Sequence, residues 1–312
     1  MNKVIGFVTE KGGVSKTMSS VNMAHILAVS GYHVLFIDLD AQMNATDMLM
    51  IGTGYECPCY TNLLCHQLKS ADILYEGFIY ESNFDLIDCI PGSPLLKDII
   101  YEIHSELREK RSVFTCLRRN IELVREDYDY VVIDTNPGDT TLTRCAICAC
   151  DGVLSPIKAD NFSFSGVTGL LQTIIGLKQS CGVSVEFMGM FFADVSLNSS
   201  GYKRVREWYE ENYSSYILPV AIRHSVQVSD STLKYLPLLV ACKRHGTTDD
   251  YIKLVRTLGL IDDAHNERLE KYLAPRKAGG SQRKGNIPAT RAARKQYLTV
   301  RCHFWTKREG MP

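Results

Sequence analysis

The sequence predicts an α/β fold built on a mostly parallel, twisted sheet flanked by helices on both faces. Short apolar runs alternate along the chain with longer helix-compatible stretches, the pattern of a sheet covered on both sides. A glycine-containing turn also lies between the first apolar run and the first helix, at the carboxyl end of a strand, where such sheets bind ligands. With 312 residues, 45% of them hydrophobic, the chain can bury a large core and fits one big domain, or that domain with an appendage.

The first strand is Val4 to Val8, and residues 10 to 17, Glu-Lys-Gly-Gly-Val-Ser-Lys-Thr, form the turn after it. A helix starting near Thr17 puts Val21, Ala24, Leu27 and Ala28 on one face and stops at Gly31, a fitting C′ residue. Further strands are expected at Val34 to Ile37, Phe84 to Ile90, Val131 to Ile133, Val153 to Ile157 and Phe187 to Phe192. Between them, residues 95 to 126 read as helical and rich in charge. A helix is expected over 163 to 180, entered through Ser163 and Ser165, another over Gly201 to Tyr213, and an amphipathic helix or pair over Asp249 to Leu273. These elements make 1–274 one domain. After Pro275 the composition turns basic and weakly patterned, with Gly279, Gly280, Ser281, Gly285 and Pro288, and 275–312 reads as a disordered tail, at least up to Ala289.

The formal net charge is zero, from 35 basic and 35 acidic residues. Residues 275 to 312 hold ten Lys/Arg and one acid (Glu309), which leaves 25 basic and 34 acidic side chains in the first 274 residues. The body is therefore near −9 and the tail near +9. No run approaches the ~18 apolar residues of a membrane span, and no signal-peptide pattern precedes the first strand, so a cytoplasmic protein is expected. Its eleven cysteines are then expected as reduced thiols. Cys145, Cys148 and Cys150, with Cys57 and Cys59, raise a metal or iron–sulfur reading. The trio lies in a small-residue helical stretch where Cys packs like Ala, and both clusters lack histidines at zinc-finger spacing.

The turn suits a phosphate. Gly12, Gly13 and the amides of Val14, Ser15, Lys16 and Thr17 can close around an anion, Lys16 can reach the outer phosphates, and the Thr17 hydroxyl can ligate Mg²⁺ at a helix N-terminus. The general phosphate-loop pattern wants glycine at positions 10 and 15, where this chain has Glu10 and Ser15. If the loop needs positive φ at position 15, serine there costs ~1 kcal/mol or more. Asp134, ending the strand Val131 to Ile133, faces the turn and is suited to the metal through water. Asp38 and Asp40, two apart at the end of the second strand, point the same way while strand geometry persists.

Together these residues resemble the ParA/Soj/MinD family of P-loop NTPases with a deviant Walker A motif, marked by the extra early lysine, here Lys11. The resemblance continues through Asp38-Leu39-Asp40-Ala41-Gln42 with Asn44-Ala45-Thr46, and through Tyr128 to Asp134 followed by Asn136-Pro137. It spans roughly residues 1 to 245 and is closest to the ParA/Soj branch. It implies an ATPase using ATP and Mg²⁺ in which Lys16 bridges the β and γ phosphates, Asp40 orients the attacking water and Asp38 supports the magnesium shell. Lys11 would reach across to a partner's ATP, making ATP a dimerisation switch. The family commonly has Pro-Pro where this chain has Asn136-Pro137-Gly138-Asp139. No metal, lysine or water-orienting group is lost, so slow, partner-stimulated hydrolysis is expected, with an ATP-binding switch that no longer hydrolyses as the fallback.

The resemblance further implies partitioning of a plasmid, chromosome or mobile element. The ATP homodimer would bind nonspecific double-stranded DNA, associate with the nucleoid, and release when a centromere-binding ParB-like protein stimulates hydrolysis. Nonspecific DNA affinity needs clustered cations. Candidates are Lys203, Arg204, Arg206, Arg223, Lys243 and Arg244, although Gln227 stands where the family usually carries a further arginine. Arg276, Lys277, Arg283, Lys284, Arg291, Arg294 and Lys295 of the tail are further candidates, and an unrelated sequence joined to the gene's end explains them equally well. The rival reading is a MinD-like membrane-surface switch, for which residues 296 to 308 offer a short apolar face of Tyr297, Leu298, Val300, Phe304 and Trp305.

Overall fold

A computed structural model of the chain describes residues 2–56, 58, 60–99, 113–138, 140–160 and 163–275. Eight strands form one sheet: β1 Lys3–Phe7, β2 Val34–Leu39, β3 Tyr80–Glu81, β4 Ile87–Ile90, β5 Tyr130–Thr135, β6 Gly152–Ile157, β7 Glu186–Val195 and β8 Ile217–Arg223. Their spatial order is β3-β4-β2-β5-β1-β6-β7-β8. The short edge strand β3 runs antiparallel to β4, and the other described pairs are parallel. The helices are α1 Lys16–Ser30, α2 Asn44–Met50, α3 Tyr60–Cys65, α4 Ala71–Gly77, α5 Cys116–Glu122 and α6 Thr141–Ala149. They continue as α7 Ser163–Cys181, α8 Ser200–Asn212, α9 Val226–Leu233, α10 Leu238–Ala241, α11 Gly246–Thr257 and α12 Asp263–Leu273.

Strand alternation divides the core. Val4, Leu35, Ile37, Val131 and Ile133 pack on one face with α3, α5, α6 and α7, whereas Ile5, Phe7, Phe36 and Val132 pack on the other with α1, α2, α11 and α12. A third cluster joins β6 and β7 to α8 through Ile157, Phe192, Tyr202 and Tyr209. Helix α1 ends as the sequence predicts: Gly31 has φ 109°, its N–H donates to Ala28 O, and Tyr32 N–H donates to Leu27 O at 3.1 Å. Helices α10, α11 and α12 close over α1 and the turn that follows it. Leu238 N–H donates to Asn22 Oδ1 at 2.8 Å, the Ser19 and Tyr251 hydroxyls lie 3.2 Å apart, and His265 stacks on Tyr32 with ring centroids 3.8 Å apart.

Several sequence expectations change in detail. Only Ile87 to Ile90 of the Phe84 run is strand, because Leu86 adopts φ 64° and Phe84 turns inward onto the His25 ring. The Asp249 to Leu273 stretch is a pair of helices, broken where Gly259 adopts φ 63° and Asp262 caps α12 by accepting from His265 N–H. Strand β8 was not anticipated, since Pro219 and Arg223 dilute its apolar pattern. Of the stretch 95 to 126, residues 100 to 112 lie outside the described residues, as do Cys57, Cys59, Asp139 and everything from Arg276 to Pro312, including the basic tail and the 296 to 308 segment. Cys145, Cys148 and Cys150 are buried, free thiols on and just after α6. Among the described residues no helix is long and apolar enough to cross a membrane.

His25 is buried in α1, its Nδ1 has no hydrogen-bond partner, and burial lowers its pKa to about 4. The unfolded chain takes up a proton there below about pH 6.5 while the folded chain does not, so stability is retained above that pH and falls as pH drops toward 4. Urea unfolding at pH 7 and pH 5 should show a loss from this group of about 2 kcal/mol, absent in His25→Met.

Candidate nucleotide site

Strand order assembles the site. Because β5 lies between β1 and β2, Asp134 is in register with Phe7 on one side and Asp38 on the other. Alternation sends both carboxylates to the α1 face, beneath the turn that connects β1 to α1. Three segments distant in sequence thus meet at the carboxyl edge of the sheet.

The turn has a strained backbone. Gly13 has φ 70°, and Ser15, the residue preceding α1, has φ 58° and ψ 29° with no side-chain cap. Position 15 therefore does take the left-handed conformation that favours glycine. Glu10 is not among the positive-φ residues, and its carboxylate lies against Gly166 and Gly169 of α7, so a side chain is accommodated there. Gly138 N–H donates to Thr9 O at 3.0 Å, and Pro137 lies 3.9 Å from the point where a Gly12 Cβ would sit, tying the segment after β5 to the turn. Thr140 then caps α6 by accepting from Thr143 N–H, and the Thr143 hydroxyl donates to Gly138 O at 2.9 Å.

At the base of the turn, Lys16 Nζ lies 3.4 Å from Asp134 Oδ1, both side chains buried. Burial raises the Asp134 pKa, the Lys16 charge and the neighbouring Thr17 hydroxyl oppose that, and the Asp40 charge adds to it. Asp134 Oδ2 is buried and meets no hydrogen-bond donor among the described residues. An orphaned carboxylate oxygen beside a threonine hydroxyl is an oxygen donor set that fits Mg²⁺ or its water shell. Asp38 is more fully committed. Its Oδ1 accepts from Asp40 N–H at 3.0 Å and its Oδ2 from Thr46 N–H at 2.9 Å and the Thr46 hydroxyl at 2.7 Å. Burial, then the neighbouring Asp134 charge, push Asp38 up to about 7 against these bonds. Asp40 Oδ1 accepts from Gln42 N–H at 2.9 Å, and the carboxylate stays close enough to Asp134 to disfavour its ionisation.

Lys11 Nζ lies 3.1 Å from Asp160 Oδ1 at the carboxyl end of β6, in a partly exposed pair (33% and 39%) whose solvent screening makes it easy to exchange for another anion. Lys158, two residues before Asp160, brings its ammonium near Gly13, a neighbour that no sequence motif signalled. The Val14 side chain is buried.

The basic candidates for a polyanion divide into two groups. Lys203 and Arg204, in the first turns of α8, and Arg244, before α11, are exposed. Arg206 pairs with Glu210 at 2.7 Å, Arg223 grips Asp250 with two nitrogens at 2.7 and 2.8 Å, and Lys243 bonds Tyr272 O while lying over its ring. Thr46, which holds Asp38, belonged to a quoted motif but was not singled out from sequence, because its role depends on contacts that sequence spacing does not reveal.

Residues 2–187 match a family described as an AAA domain. The sporulation initiation inhibitor protein Soj of Bacillus subtilis is 27% identical over 257 residues, covering 82% of this chain and 98% of Soj. The chromosome partitioning protein ParA of Caulobacter vibrioides is 26% identical over 256 residues, covering 81% and 92%. Among solved structures, a Cyanothece McdA variant in complex with ATP superposes with TM-score 0.69 at 19% identity, covering 82% of this chain and 96% of that one. A plasmid partition protein from Borrelia burgdorferi does so with TM-score 0.55 at 18% identity, covering 83% and 96%. At these identities the structural likenesses concern the fold.

Ser15→Gly should relieve the left-handed strain and raise the stability of the nucleotide-free chain by about 1 kcal/mol, read as a higher denaturation midpoint.

Proposed function

Because this chain belongs to the AAA domain family, and within it to the ParA/MinD-type ATPases, we propose that it is a DNA-partitioning ATPase of the ParA/Soj kind. The observation that carries the reading is the convergence of Lys16, Thr17, the unpartnered Asp134 oxygen and Asp40 at one strained, amide-lined turn. Phosphoryl transfer to water asks a protein chiefly for positioning and charge neutralisation, and each of these groups supplies one of them.

The amides of Gly12 through Thr17 bind the phosphates of ATP, and Lys16 neutralises the β and γ oxygens. Thr17 and Asp134 hold Mg²⁺, which when bound withdraws charge from the same oxygens. Lys16 already neutralises Asp134, so a cation or a triphosphate redistributes charge within a buried, preorganised pair. Asp38 acts from behind, through the Asp40 N–H and Thr46, rather than with a vacant oxygen. Asp40 orients the attacking water. Lys11 leaves Asp160 for the phosphates bound by a second copy, so ATP joins two subunits, and hydrolysis, accelerated by a centromere-binding ParB-like protein, separates them.

The ATP dimer binds double-stranded DNA without sequence preference and so associates with the nucleoid. The exposed Lys203, Arg204 and Arg244 all belong to segments at the carboxyl edge of β7 and β8, the edge that carries the turn. Arg206 and Arg223 have their charges offset by Glu210 and Asp250, and Lys243 is held by Tyr272, so all three stand behind the exposed cations as phosphate contacts.

DNA binding measured with ATP, ADP and no nucleotide across a salt series tests this. Salt-sensitive retention with ATP alone is expected, and equal retention in all three states overturns it. Asp40→Ala should lower turnover by ~10²-fold or more while DNA retention persists. Lys11→Ala should bind ATP yet remain a single copy by light scattering.

A further inference from the structure

The loop that carries Asp40 is held by a small, fully buried set of hydrogen bonds centred on Thr46. Its hydroxyl donates to Asp38 Oδ2 at 2.7 Å and accepts from Gly92 N–H at 2.7 Å, so both of its hydrogen-bonding functions are used. Its own N–H donates to the same Asp38 oxygen at 2.9 Å. The other Asp38 oxygen receives the Asp40 N–H at 3.0 Å. Gly92 completes the set by close approach: a Cβ there would come within 2.9 Å of Asp40 O and 3.1 Å of Asp38 Oδ2. The Tyr60 hydroxyl lies 2.9 Å from Asp38 O and 2.5 Å from Pro91 O, closing the far side. One side chain therefore joins the end of β2, the first turn of α2 and the segment after β4 into a single unit whose open corner is Asp40.

We propose that Thr46 is a positioning residue for hydrolysis: by bridging Asp38 to the Gly92 N–H, it fixes the main chain from which Asp40 reaches the attacking water. The inference rests on the reading of Asp40 as the water-orienting group. Among the described residues the Thr46 hydrogen bonds go to Asp38 and Gly92 rather than to the turn of residues 10 to 17, so its loss is felt in turnover and not in affinity. Displacing a water-orienting carboxylate by a fraction of an ångström is enough to slow an in-line attack.

The test compares Thr46→Val, Thr46→Ser and Gly92→Ala in the full chain, with kcat and KM for ATP, the dissociation constant of a non-hydrolysable ATP analogue, and the thermal midpoint. Thr46→Val should lower kcat about tenfold with the analogue's affinity within twofold of wild type, and Thr46→Ser, which restores the hydroxyl, should recover most of it. Gly92→Ala, which keeps every hydrogen bond but crowds Asp40 O, should lower kcat in the same way. In an Asp40→Ala background, Thr46→Val should add no further loss.

An equal fractional loss in that background, a serine variant as slow as the valine one, or a loss confined to affinity overturns the proposal. Should Thr46→Val fail to fold, the serine and Gly92→Ala variants decide alone. If Asp40→Ala by itself leaves turnover intact, the reading of Asp40 falls first, a result obtained without touching Thr46.

Discussion

The structure depends on the burial of Asp134 opposite Lys16. Insertion of β5 between β1 and β2 puts a carboxylate at the centre of the sheet, at zero exposure, with one charged neighbour 3.4 Å away. Such a pair contributes little net stability, yet removing one partner typically costs about 3–5 kcal/mol, because the other charge is left buried and unpaired. The turn, the start of α1 and the end of β5 are therefore held in one arrangement. What remains, among the described residues, is a buried carboxylate oxygen, Asp134 Oδ2, without a donor.

Around that pair the site separates rigid from exchangeable parts. Asp38 and Thr46 are enclosed, with every described hydrogen-bonding partner drawn from the chain itself. Lys11 and Asp160 lie near the surface, where their attraction is screened and readily replaced. Gly138 connects the turn to the segment leading into α6, and its φ of 99° lets that segment bend without a side-chain penalty. A nucleotide switch requires this division: fixed groups to define the chemistry and loosely held ones to change partner.

Much of the fold was legible in the sequence because the parallel strands are nearly continuous apolar runs and the helices between them end at glycine or at capping residues. Where an apolar run was interrupted, as by Pro219 and Arg223 in β8, the strand escaped notice. The turn between β1 and α1 was legible for a different reason: its requirements are local, so the spacing of Gly12, Gly13, Lys16 and Thr17 predicts it. The strain at Ser15 was likewise foreseeable, since an α1 entry of this kind needs a left-handed residue. Partnership was not legible. That Arg223 is held by Asp250, Lys243 by Tyr272 and Thr46 by Gly92 follows from contacts between elements 27 to 46 residues apart, which no single-sequence pattern encodes.

The stacking of His265 on Tyr32 and the bond from Leu238 to Asn22 have a temporal meaning. The helix that opens the phosphate site finds its packing partners more than 200 residues later in the chain. During synthesis at roughly 5–20 residues per second, α1 must wait on the order of tens of seconds before α11 and α12 leave the ribosome to cover it. The nascent chain carries the turn of residues 10 to 17 early but completes the packing around α1 last.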